Sequence, residues 1–140
     1  MSRFVLDNTV TMAWCFADEA TEFTETVLHR LSNLIDSAMV PALWLYEVVN
    51  VTELAVRKGR ITAGKADTFL ESLADLPIEI ENPALPQVFV SVRALVGQYK
   101  LTAYDASYLE LALRYNLPIA ASDKALVKAA QTAGVNLVQV

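Results

Sequence analysis

Four acidic residues lie where a folded chain could bring their carboxylates together. Asp7 and Asp123 each follow a short apolar segment that is typical of a buried strand. Glu47 and Asp105 each share one face of a predicted helix with apolar residues. A carboxylate at the edge of a buried face loses hydration, which costs free energy unless the group is paired or binds a metal ion.

Metal-assisted hydrolysis of a phosphodiester is the chemistry that such a set could perform. Four carboxylates crowded together repel one another, and a divalent cation removes that repulsion. Mg²⁺ takes oxygen ligands and keeps several waters, which can act as nucleophiles while the ion polarises a phosphoryl oxygen. Thr9 and Asn50 could donate hydrogen bonds that orient Asp7 and Glu47 in such a site.

Each of the four acids, taken singly, also has a simpler interpretation. Asp7 and Asp123 stand where helix N-caps would stand. Glu47 and Asp105 could be boundary residues whose carboxylates reach water or an arginine. The expectation of a metal site therefore depends on all four acids together.

Alternating strands and helices would position these acids. Apolar runs predict strands at 4–6, 39–40, 78–80, 118–121 and 135–138, and apolar periodicity with capping residues predicts helices at 21–37, 43–58, 62–76, 87–99, 103–115 and 123–133. This alternation indicates an α/β fold with a parallel sheet and helices on both faces. In such sheets the functional site lies at the carboxyl ends of the strands, so we expect the four acids to meet there.

Length, composition and cysteine content exclude several classes of protein. The chain has 140 residues, 54% of them apolar and 19% charged, which predicts a single domain over residues 1–140 with its own core. Its longest segment without a charge, 129–140, is too short for a membrane span, and the N-terminus does not resemble a signal peptide. One cysteine, Cys15, and one histidine, His29, exclude a structural zinc site within one chain. We expect a cytoplasmic protein with no membrane association.

Four segments, taken in order, resemble the PIN domain family. Residues 4–10, Phe-Val-Leu-Asp-Asn-Thr-Val with Trp14 soon after, resemble the opening of PIN domains. The later segments that carry the other three acids are similar to those of the family and lie at 41–50, 104–112 and 120–126. The fourth segment differs slightly, because the family commonly has threonine near the position of Ser122. A single chain of this size is similar to the VapC toxins of bacterial and archaeal toxin–antitoxin pairs.

The resemblance implies more than the residues alone. It implies a three-layer α/β/α fold and a ribonuclease that depends on one or two Mg²⁺ or Mn²⁺ ions. It also implies a homodimer and a small antitoxin partner that blocks the site and often binds operator DNA. Carried over to this chain, the acidic tetrad consists of Asp7, Glu47, Asp105 and Asp123, and Thr9 is the hydroxyl residue that follows the first acid.

Other interpretations of the same residues are weaker. A phosphatase with an aspartyl nucleophile resembles D-x-D-x-[TV], and Asp7-Asn8-Thr9-Val10 lacks the second acid. A phosphoacceptor receiver module would need an acidic pair at the first strand, which is not evident. A non-catalytic PIN-like module that only binds RNA or a protein stays open, although the presence of all four acids favours catalysis.

Contacts with RNA are harder to place, because the formal net charge is −5 and nucleic-acid binders are usually basic. The densest basic cluster comprises Arg57, Lys58 and Arg60, which could bind phosphates or simply stabilise a helix C-terminus. Aromatic residues near the acids could stack on bases, although their helical spacing is more typical of core or dimer surface; they are Trp44, Tyr46 and Tyr104.

Overall fold

A computed structural model describes residues 2–140, and its central feature is a four-stranded parallel sheet. The strands are β1 (Ser2–Leu6), β2 (Asp36–Pro41), β3 (Ile78–Glu81) and β4 (Ile119–Ala120), in the order β3-β2-β1-β4. Phe4 pairs with Ala38 of β2, and Val5 pairs with Ile119 of β4. The strand β1 is therefore internal, and the residue that follows it lies near the middle of the sheet's carboxyl edge.

Helices make up most of the remaining chain. They are α1 (Asn8–Ala13), α2 (Glu22–Ser32), α3 (Leu43–Arg57), α4 (Ala63–Ala74), α5 (Arg93–Tyr99), α6 (Ala103–Tyr115) and α7 (Lys124–Thr132). A 3₁₀ turn spans Ala17–Glu19, and a π-helical segment, Gln87–Val92, leads directly into α5. Within residues 2–140, no helix is both long enough and apolar enough to cross a membrane.

The helices cover the sheet in two layers. Helix α2 packs on β2, α1 packs on α2 and α3, and α4 packs on α3. Helix α6 packs on β1, β2 and β4 and carries α5 and α7 against it. Fully buried side chains of the sheet and of α6 form the centre of the core: Val5, Leu6, Leu109, Leu111 and Ile119. The three-layer α/β/α architecture with a central parallel sheet, predicted from the sequence, is confirmed.

The structure differs from the sequence prediction at several places, and strand β2 begins at Asp36 rather than at 39. Helix α1 was not predicted, and helix α2 ends at Ser32 rather than at 37 because Leu34 adopts a left-handed backbone with φ of 57°. The strand predicted at 135–138 is reduced to one parallel bridge between Leu137 and Ile119. Since β4 has only two residues, it offers little length for a further strand to pair with.

Candidate active site

Asp7 lies at the carboxyl end of β1 and is 3% exposed. Its Oδ1 accepts a hydrogen bond of 3.0 Å from the backbone N–H of Val10, so the carboxylate caps α1. The Thr9 hydroxyl lies 2.8 Å from both Asp7 oxygens, and the backbone N–H of Ser122 donates to Thr9 Oγ1 at 3.1 Å. Thr9 therefore links Asp7 to the segment between β4 and α7, and it orients the carboxylate.

Burial has a large effect on the ionisation of Asp7. It raises the pKa of the carboxyl from 3.8 to about 7, although the hydrogen bonds from Val10 and Thr9 act in the opposite direction. The negative charges of Asp123 and Asp105 raise this pKa further. Near neutral pH the carboxyl therefore keeps a proton in part of the molecules, unless a cation compensates its charge.

Glu47 is half-buried on α3, and its partner lies on α6. The hydroxyl of Tyr108, which is itself buried, donates a hydrogen bond to Glu47 Oε1. Burial raises the pKa of Glu47, the Tyr108 bond lowers it, and the charge of Asp105 raises it again. Burial and the neighbouring Glu47 raise the pKa of Tyr108 far above its usual range, so the phenol stays protonated and remains a donor.

Sequence reasoning missed Tyr108 and assigned its role to Asn50. Asn50 is exposed on α3, and no hydrogen bond joins it to Glu47 in the part of the chain that the structure describes. Tyr108 lies one turn beyond Asp105 on the buried face of α6, where a phenol needs a polar partner. A tyrosine on a predicted buried face therefore indicated a buried hydrogen bond, but the sequence does not show which residue accepts it.

The other two acids start helices at the same edge. Asp105 lies in the first turn of α6, half-buried, and burial together with the charge of Asp123 raises its pKa. Asp123 caps α7, because its Oδ1 accepts a hydrogen bond of 2.8 Å from the backbone N–H of Leu126. The capping interpretation of Asp7 and Asp123 therefore holds, and both residues also interact electrostatically with Asp105.

The four carboxylates thus form one electrostatically linked group. The negative charges of Asp105 and Asp123 raise the pKa of Asp7, and the charge of Asp105 raises the pKa of Glu47. Among residues 2–140, no lysine or arginine forms a salt bridge with any of the four. Within residues 2–140, hydrogen bonds therefore stabilise these carboxylates, but no basic side chain neutralises their charge.

A hard divalent cation suits this donor set, because the four groups offer only carboxylate oxygens. Within the described chain, no three histidine, cysteine or acidic side chains are close enough together to form a ready-made ion-binding cluster. Mg²⁺ is usually held by one or two carboxylates and keeps several of its waters, so it does not require such a cluster. The four residues fit an ion that is coordinated partly through water.

Trp44, one of the aromatic residues considered for base stacking, is only 4% exposed. Its indole N–H donates to Thr11 Oγ1 at 3.0 Å, and the Thr11 hydroxyl donates to the backbone carbonyl of Asp7 at 3.0 Å. Trp44 therefore positions the start of α1 beneath the acids. Tyr46 and Tyr104, in contrast, are among the most exposed large side chains, at 77% and 63%.

The basic cluster lies apart from the acids. The Arg60 guanidinium binds Asp18 at 2.8 Å and Glu19 at 2.9 Å, and it stacks on the Phe16 ring at 3.8 Å. Arg57 and Lys58 are exposed at the end of α3, about 15 Å along the helix from Glu47 at 1.5 Å per residue. These positions favour the structural interpretation of the cluster over phosphate binding.

Comparisons with known proteins agree with this geometry. The family model of the PIN domain matches residues 4–131. No curated protein sequence matches the chain.

Solved structures share the fold at low sequence identity. PAE2754 from Pyrobaculum aerophilum superimposes with a TM-score of 0.69 at 20% identity, covering 91% of this chain and 84% of that one. VapBC2 from Rickettsia felis, solved bound to a DNA fragment from its promoter, gives 0.67 at 12% identity and covers 97% of both chains. FitAcB from Neisseria gonorrhoeae gives 0.65 at 16% identity, with coverage of 97% and 96%. At these identities the likeness shows a common fold.

Proposed function

This chain belongs to the PIN domain family, and we propose that it is a divalent-metal-dependent endoribonuclease that acts as the toxin of a toxin–antitoxin pair. The observation that carries this proposal is the group of four interacting carboxylates at the carboxyl edge of the sheet, which have no basic partner among residues 2–140. The protein has no pair of histidines that could perform acid–base cleavage of RNA, since His29 is its only histidine and is exposed on α2.

The roles of the residues follow from their positions. Asp7, Glu47, Asp105 and Asp123 would hold a Mg²⁺ or Mn²⁺ ion, directly or through its waters, and the bound ion would supply a Lewis acid for the phosphodiester and for an attacking water. Asp7 must lose its proton to bind a cation, and the Thr9 hydroxyl fixes the direction of its oxygens.

Two further residues hold the acids in position. Tyr108 fixes Glu47 from the opposite helix, so that α3 and α6 are joined at the site. Trp44 acts through Thr11 on the backbone carbonyl of Asp7, which holds the turn between β1 and α1. These two aromatic residues are positioning residues, because their polar atoms bind protein groups.

The toxin assignment is supported by the solved relatives. The names VapBC2 and FitAcB denote two-component assemblies. Each of the two superpositions covers 97% of this chain. An apolar groove of about 310 Å³ between α3, α4 and β3 offers a protein partner a surface; it is lined by Trp44, Leu45, Val48, Val49, Leu70, Leu73, Ala74, Leu76, Ile78 and Ile80. The proposal also includes that the protein forms a homodimer and acts in the cytoplasm.

Cleavage of a mixed structured RNA tests the enzymatic part. We expect the wild type to cut with Mg²⁺ or Mn²⁺ and to stop when EDTA is added. Replacing one acid by its amide, as in Asp7→Asn or Asp123→Asn, is expected to lower the rate by about 100-fold or more, because a ligand of the ion is lost. Asp67→Asn, an exposed acid on α4, is the matched control and should retain the wild-type rate.

The alternative, a non-catalytic PIN-like module, predicts a different result. Such a module binds RNA with the same affinity in the wild type and the amide variants, and it cuts RNA under none of these conditions. Calorimetric titration with Mn²⁺ adds an independent readout, since we expect uptake by the wild type and weaker uptake by Asp7→Asn. Equal heats for both proteins would contradict the metal site.

A further inference from the structure

We propose that Tyr46 and Tyr104 stack on unpaired bases of the RNA and so hold the strand beside the acidic residues; this inference rests on the proposed ribonuclease function. Tyr46 directly precedes Glu47, and Tyr104 directly precedes Asp105. Both phenol rings lie largely in solvent, on the two helices that carry these acids. Exposed aromatic rings next to a nucleic-acid site are the usual platforms for base stacking.

The two tyrosines border one surface rather than two separate faces. Tyr46 follows Leu43 by three residues on α3, so their side chains are neighbours on the helix surface. Leu43 and Tyr104 in turn line the same cavity, of about 210 Å³, between the start of α3 and the start of α6. Leu43 is therefore an apolar neighbour that the two tyrosines share.

This surface is one helical turn from the acids. Glu47 follows Leu43 by four residues on α3, and Tyr108 follows Tyr104 by four residues on α6. The hydrogen bond from Tyr108 to Glu47 joins the two helices at that level. Leu43 and Tyr104 thus each lie one helical turn, about 5.4 Å, before a residue of this hydrogen bond on their own helix, which favours a position of the stacked base beside the acids.

The charge distribution favours a non-ionic contribution to RNA binding. The chain carries a formal charge of −5, and the site itself is acidic. Arg60 is bound by Asp18 and Glu19, and Arg57 lies at the far end of α3. Stacking requires no positive charge and tolerates any base, but it requires bases that are not hidden in a double helix. We therefore expect the two rings to favour binding of unpaired segments of RNA over a duplex.

Binding measurements in the Asp105→Asn background test this inference without cleavage. Fluorescence anisotropy with Mg²⁺ gives the Kd for a short mixed-sequence single strand, for the same strand with abasic sugars, and for its duplex. We expect Tyr46→Ala and Tyr104→Ala each to weaken single-strand binding by about 5- to 150-fold. Tyr46→Phe and Tyr104→Phe keep the ring and are expected to restore binding. Tyr115→Ala, at the far end of α6, is the control.

Three results would overturn the inference. They are equal affinity of the alanine variants and their parent, equal affinity for the abasic and the normal strand, and no measurable binding of the normal strand. Cleavage of the same strand by the protein with Asp105 intact is measured separately with Mg²⁺. Cleavage without any effect of the tyrosines refutes only the stacking inference, whereas absence of cleavage refutes the ribonuclease proposal.

Discussion

Asp7→Asn is expected to stabilise the protein at alkaline pH when no divalent ion is present. The amide keeps the size of the side chain, and its oxygen can still accept the bond from Val10 that caps α1. It removes a negative charge that is buried and has no basic partner among residues 2–140. The variant therefore separates the electrostatic cost of Asp7 from its role in the fold.

The size of the effect follows from the pKa of Asp7. In the unfolded chain the carboxyl ionises near 3.8, whereas burial holds its folded pKa at about 7. Between these two pH values the unfolded chain loses the proton first, so the free energy of unfolding falls as pH rises and is constant above about 7. At about 1.4 kcal/mol per pKa unit, the full cost is about 4 kcal/mol. The variant loses one hydrogen bond from Thr9, which lowers its free energy of unfolding by about 1 kcal/mol. The net stabilisation by Asp7→Asn is therefore about 3 kcal/mol.

Urea unfolding at pH 5 and pH 8 with EDTA measures this effect. Wild type and Asp7→Asn are compared with Asp67→Asn, whose carboxylate is exposed on α4 and should change stability little. Glu47 and Asp105 also have raised pKa values, so the difference between the wild type and Asp7→Asn, rather than the wild-type slope alone, isolates Asp7. The reasoning is refuted if Asp7→Asn is no more stable than the wild type at pH 8.

Three further predictions concern the ion, the pH profile and the residue missed by sequence reasoning. Mn²⁺ at about 100 times its Kd should stabilise the wild type at pH 8 by about 2.7 kcal/mol in thermal unfolding and should stabilise Asp7→Asn much less; equal shifts would argue against Asp7 as a ligand. Cleavage at limiting Mg²⁺ should rise with pH up to about 7, because the ion competes with the proton on Asp7, and a flat profile from pH 5 to 8 would contradict the raised pKa. Tyr108→Phe removes the only protein hydrogen bond to the Glu47 carboxylate within residues 2–140. The cleavage rate should therefore fall by about ten-fold, and the pH profile of cleavage should move to higher pH because this bond lowers the pKa of Glu47. An unchanged profile would limit Tyr108 to a packing role.

The acidic residues could be predicted from the sequence because their positions follow from topology. Parallel strands end at one edge of a sheet, so Asp7 after β1 and Asp123 after β4 must lie near each other whatever the details of packing. Glu47 and Asp105 could be recognised because a charge on an otherwise apolar helix face is unusual. Helix α1 escaped prediction because six residues are too few to show periodicity.

Contacts between distant side chains could not be predicted in the same way. The bond from Tyr108 to Glu47 depends on how closely α3 and α6 pack, which no local pattern encodes. Arg60 looked like part of a free basic cluster, but it binds Asp18, 42 residues earlier, because the 3₁₀ turn lies beside the segment that follows α3. Such long-range partners decide which charges a site can use, and they become visible only in the folded chain.

A time course of RNA cleavage by purified wild type and Asp105→Asn, with Mn²⁺ and with EDTA, tests the central claim most directly. Asp105 is suited to this test because it is half-buried and interacts with the charges of both Glu47 and Asp123, while its carboxylate caps no helix. We predict cleavage by the wild type with Mn²⁺ alone, and none by the folded variant or with EDTA. Cleavage by Asp105→Asn at the wild-type rate, or equal cleavage in EDTA, would contradict a metal-dependent ribonuclease centred on these acids.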